Sequence, residues 1–176
     1  PLINLYQQGQ LQQALDNTKQ LLKQFPNSLA LYNIKGAVYA GLGQFDAAID
    51  SYKQALKVKP DYADAYNNMG VALKDKGDLG AAIECFKQAL KINPDYADAY
   101  HNMGNHLKGI AFKKPNSGLM EVIISLLDQR NFIRPNEISL ATISLLKLEP
   151  TLKELLEKYS LGTLRQPLKK TILTLS

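Results

Sequence analysis

The chain has 176 residues, 45% apolar and 21% charged, the make-up of one folded body or a short stack of units rather than a disordered polymer. Its net charge of +5 is uneven: residues 1–110 hold 11 Lys against 10 Asp and Glu, residues 111–176 hold 10 Lys and Arg against 6, and no basic block exceeds two residues. That leaves a nucleic-acid footprint poorly supported even around Arg165, Lys169 and Lys170.

The stretch around Ile123 to Leu127, apolar but for Ser125, falls far short of a membrane span, so no membrane role is expected. Cys85 stands alone, which excludes an intrachain disulfide and gives no sign of an oxidising compartment. The compartment stays open, with the cytoplasm as the default expectation.

Residues 2–8 read as the last turns of a helix, Gly9 as a turn, and Leu11 to Phe25 as a second helix that ends before Pro26. From there the chain repeats itself. PDYADAYNNMG at Pro60–Gly70 returns as PDYADAYHNMG at Pro94–Gly104, and AAIDSYKQALKVKP at Ala47–Pro60 aligns with AAIECFKQALKINP at Ala81–Pro94. The step is 34 residues, a period that identifies a repeat array. Full repeats span 29–62 and 63–96, with a partial copy at 1–28 and the first helix of another at 97–110.

Within 63–96 the local chemistry is explicit. Asp61 is expected to cap a helix in which Ala65, Met69, Ala72 and Leu73 share one face. Gly77 ends that helix and Asp78 caps the next, where Leu79, Ala82, Ile83, Phe86, Ala89 and Leu90 keep helical spacing until Pro94. Small residues recur at Gly36, Gly70 and Gly104, and at Ala14, Ala48 and Ala82. A helical glycine costs about 1 kcal/mol against alanine, so its return predicts a close approach of backbones.

After Ile110 the period fails. AFKKPNSG (Ala111–Gly118) is a turn-rich break, followed by helical patterns at Leu119–Gln129, Asn136–Leu148 and Thr151–Tyr159, and a fourth from Thr163. Residues 111–176 are expected to cap the last repeat's apolar face, as a stack of repeats requires. Pro1 falls in the middle of a helical pattern and Ser176 ends one without a cap, so both ends read as cut.

These residues identify a resemblance to the tetratricopeptide repeat (TPR) family. Its signature positions are met by Tyr32, Gly36, Tyr39, Ala48, Tyr52, Ala55 and Pro60, with Lys35 departing from the usual leucine. In the next repeat they are Tyr66, Met69, Gly70, Leu73, Ala82, Phe86, Ala89 and Pro94. In the first copy Thr18 and Leu21 replace the expected aromatic and alanine. The resemblance implies an all-α fold, a right-handed α-solenoid of helix hairpins over 1–110 with a non-repeat C-terminal helical cap over 111–176. The RPxxIsxxxISLLKxEP-like stretch further resembles the region between TPRs and a methyltransferase-type domain in some multidomain proteins.

The resemblance also implies a concave groove lined by first helices. It would present Asn33 and Ala37, then Asp64, Asn67, Asn68, Val71 and Lys74, then Asp98, His101, Asn102, Asn105 and Lys108. Asp64/Asn68 and Asp98/Asn102 are i, i+4 pairs on one helix face. A carboxamide carries donor and acceptor together and can pair with a peptide unit without reading its side chain. These residues resemble the ladders of O-linked N-acetylglucosamine transferases, which hold an extended peptide by its backbone. A solvated polar face needing no ligand is the plainer alternative.

The two-carboxylate clamp of chaperone-tail binders fits poorly: of Asn33, Ala37, Asn68, Asp98 and Asn102 only Asn68 matches, and Asp98 would repel a carboxylate. Catalysis is not expected of this chain, nor a cofactor or metal. His101 and His106 are five apart and do not share a metal-binding face. Cys85 reads as an apolar filler, and the Tyr pairs 62/96 and 66/100 as helix packing. The expected function is a scaffold that binds an extended segment of a protein partner. Its alternatives are a substrate-recruiting part of a larger transferase and a module that self-associates through the apolar end of the first repeat.

Overall fold

The structure, a computed structural model, describes residues 2–107 except the side chain of His106. The helices expected between Leu119 and Ser176, their capping role and Lys108 lie outside the described residues. Seven helices follow one another: α1 (Leu2–Gln7), α2 (Leu11–Gln24), α3 (Leu29–Gly41), α4 (Phe45–Val58), α5 (Ala63–Lys76), α6 (Leu79–Ile92) and α7 (Ala97–Leu107). Among the described residues there is no strand, and no helix is long and apolar enough to cross a membrane. Backbone contacts divide the chain into two compact units, Pro1–Ala99 and Tyr100–Ser176.

Within the first unit α1/α2, α3/α4 and α5/α6 pack as hairpins, and α2 on α3 and α4 on α5 join one hairpin to the next. Three glycines make the hairpin corners. Gly9, Gly43 and Gly77 have φ of 73°, 72° and 94°, a left-handed conformation glycine adopts without steric cost. Each is followed by the same helix-ending bond: Gln10 N–H to the Leu5 carbonyl, Gln44 to Tyr39 and Asp78 to Leu73, all 2.9 Å.

Helix starts are less uniform. The Asp78 carboxylate accepts from Ala81 N–H at 3.1 Å, as the sequence predicts, and Ser28 Oγ accepts from Leu31 N–H at 3.4 Å. Asp78→Ala should therefore lower stability by about 1 kcal/mol, read as a fall in the urea midpoint. Asp61 does not cap α5. Tyr62 holds the capping position without a side-chain bond, and its carbonyl accepts from Ala65 and Tyr66.

The core repeats with the hairpins. Ala14, Ala48 and Ala82 are completely buried. Ala14, Leu15 and Val38 form one cluster, and Ala48, Ile49, Tyr52, Met69, Ala72 and Cys85 another, with Tyr39 packed against both. The recurring glycines serve a purpose different from backbone contact. A Cβ on Gly70 would lie 2.6 Å from the Phe86 ring, and one on Gly36 would strike the Tyr52 ring. The missing side chains make room for an aromatic ring of the second helix. At the matching places of the first repeat stand Leu2 and Thr18, where bulk has moved to the first helix. Thr18 is fully buried and its hydroxyl donates to the Ala14 carbonyl at 2.6 Å, which satisfies the polar atom.

Candidate functional site

α3 and α5, first helices of successive hairpins, touch directly and carry an asparagine cluster. Asn68 on α5 donates from Nδ2 to Asn33 Oδ1 on α3 at 3.0 Å. Its own Oδ1 accepts from Asn67 Nδ2 at 3.3 Å. Asn67, offered to the groove by the sequence, is only 5% exposed, so its side chain is committed inward, while Asn33 and Asn68 are half-buried. Val71 is half-buried one turn on, and Lys74 is exposed and pairs with Asp75 at 3.1 Å.

At the first turn of α5, Asp64 is exposed and accepts from the Tyr96 hydroxyl at 2.8 Å. Burial and then this hydrogen bond hold the Tyr96 phenol well above its ordinary pKa, with the Asp64 and Asp98 charges adding to the effect. Burial, followed by Asp64, raises that of Tyr62 too. One carboxylate thus has two tyrosines beside it, a role the packing interpretation of these rings did not foresee. Tyr96 precedes α7 yet reaches back 32 residues in sequence, a step shorter than the repeat.

These helices answer to a known pattern. Models of the TPR repeat match residues 36–77 and 72–109, and a tetratricopeptide repeat model matches residues 3–28. The chain belongs to the tetratricopeptide repeat family.

Solved TPR domains share the fold. The first TPR of Spaghetti (RPAP3), bound to the HSP90 peptide SRMEEVD, is 20% identical, with 60% of this chain and 83% of that one covered at a TM-score of 0.57. The Sgt2 TPR domain of Aspergillus fumigatus gives 20%, 60%, 71% and 0.57 for the same measures. The second TPR domain of human RPAP3, in complex with the HSP70 peptide SGPTIEEVD, gives 18%, 61%, 89% and 0.57. A search of curated proteins returned no match.

On α7, Asp98 is exposed in the first turn, His101 and Asn105 are exposed, and Asn102 is half-buried. The Asn105 amide nitrogen lies 2.8 Å from His101 Nε2. Among the described residues no group of three His, Cys, Asp or Glu side chains could hold a metal ion.

Lys35, at the TPR leucine position, is half-buried and sets its ammonium 5.9 Å from the centre of the Tyr39 ring. Lys19 approaches the same ring at 5.8 Å. A lysine stem covers apolar surface while its head meets an aromatic face, so it can stand in for leucine here. At the first hairpin a cavity of about 650 Å³ opens onto Leu2, Ile3, Leu21 and Ile34, rimmed by Asn4, Asn17, Gln20 and Gln24.

Proposed function

We propose that this TPR array binds an extended peptide segment of a protein partner along the face shared by α3 and α5, reading the backbone through Asn68. The observation that carries this reading is the state of that side chain. Asn68 is half-buried, and its bonds to Asn33 and Asn67 use one of its two N–H groups and one of its two carbonyl lone pairs. The remaining donor and acceptor are the pair a peptide unit requires.

Two of the neighbours named above, the first and second TPR domains of RPAP3, bind the HSP90 peptide SRMEEVD and the HSP70 peptide SGPTIEEVD, both acidic at the C-terminus. In this chain Asp64 and Asp98 stand exposed in the first turns of their helices, which opposes an acidic tail. The proposed ligand is neutral or basic along its length. A few net hydrogen bonds of about 1 kcal/mol each give an affinity well short of micromolar.

The test is a titration of the labelled chain, followed by NMR, with blocked neutral, lysine-bearing and glutamate-bearing peptides of one backbone. Neutral and lysine-bearing peptides should shift the amide signals of α3 and α5 more than the glutamate-bearing one. Asn68→Ala should weaken capture about thirtyfold, the worth of one donor and one acceptor at about 1 kcal/mol each. Equal binding by wild type and Asn68→Ala would refute the reading.

A further inference from the structure

Asn68 does not stand free on its helix. Its amide is held from two sides, by an acceptor on the neighbouring α3 and by a donor on its own helix. The donor, Asn67, is almost wholly buried and anchors the group from below. The acceptor, Asn33, lies 35 residues earlier, one more than the repeat, so the bond joins different places on consecutive first helices. A planar amide fixed at both its nitrogen and its oxygen cannot rotate about χ2 without losing both bonds.

We infer that Asn33 and Asn67 are positioning residues: they lock the Asn68 carboxamide in one orientation, so that its remaining donor and acceptor meet a peptide unit already aligned. This rests on the functional reading above and adds to it the source of the alignment. Freezing a rotamer before the ligand arrives removes an ordering cost from binding. Asn33 then contributes to affinity through Asn68 without itself reading the peptide.

The experiment uses the full chain and a blocked twelve-residue peptide of Ala, Ser and Thr. Asn33→Leu removes the acceptor at a half-exposed position, and Asn33→Asp retains an acceptor oxygen in nearly the same shape. Asn33→Leu should raise the dissociation constant about fivefold, the size of one net hydrogen bond, with an unchanged melting temperature. It should also loosen the Asn68 side-chain amide in 15N relaxation. Asn33→Asp should restore both readouts.

Undiminished binding by Asn33→Leu, while wild type binds, would overturn the inference and leave the peptide reading intact. A lower melting temperature with unaltered affinity would do the same, leaving Asn33 as a helix-to-helix tie. Failure of wild type to bind the peptide would remove the functional reading, and this inference with it.

Discussion

Phe86→Ala is expected to cost about 3–5 kcal/mol, enough to bring a domain of ordinary stability close to unfolding. The ring is completely buried and covers Gly70, whose absent side chain leaves the space that the ring fills. Gly70→Leu should be destabilising for the converse reason, by about 1–3 kcal/mol or more, because Phe86 has no solvent to move into. Combining Gly70→Leu with Phe86→Thr copies the Leu2/Thr18 arrangement of the first repeat, and should lose less than the sum of the separate changes. Urea denaturation of wild type, Gly70→Leu, Phe86→Thr and the double variant gives the coupling. Simple additivity would show that the glycine and the ring do not share one space.

Alkaline solution should weaken the fold through Cys85, and native protein should resist alkylation there. Burial first, then the charges of Glu84 and Asp78, push this thiol from 9.0 up to about 11, against a smaller opposing pull from Lys53. The neutral thiol is therefore favoured in the folded state. Its contribution is fully present below pH 9 and is lost as pH rises through about 11, roughly 2–3 kcal/mol in all. Tyr52, raised by burial, acts in the same direction at higher pH.

At pH 8 the thiolate fraction falls about a hundredfold relative to an unfolded chain, and the rate of iodoacetamide labelling should fall at least as far. Cys85→Ala should flatten the stability profile between pH 9 and 11. Labelling of the native protein at the unfolded rate would contradict the burial of this side chain.

Much of the fold could be read from the chain because its signals are local and recur. Gly77 and Asp78 are adjacent, and the bonds that end one helix and begin the next involve atoms within five residues of them. Asp61 misled because a good capping residue sits beside Tyr62, and only the backbone decides which of the two begins the helix.

The site was harder to read. Asn33 and Asn68 are 35 residues apart and Tyr96 and Asp64 are 32 apart, and neither separation equals the period that organised the sequence. Their contacts depend on how one hairpin leans on the next, which no local pattern encodes. The glycines at 36 and 70 signalled a close approach correctly, but not that its object was a ring.

The exchange of bulk between helices also governs how such an array can be rebuilt. Gly36 with Tyr52 and Gly70 with Phe86 are each matched within one hairpin, and Leu2 and Thr18 hold the corresponding positions of the first. A genetic crossover between hairpins, near Pro26 or Pro60, passes on each matched set whole. A crossover at the Gly9, Gly43 or Gly77 corners can pair a leucine with an aromatic ring, or a glycine with a threonine, so shuffled descendants should survive with their joins at the prolines and perish with them at the corners.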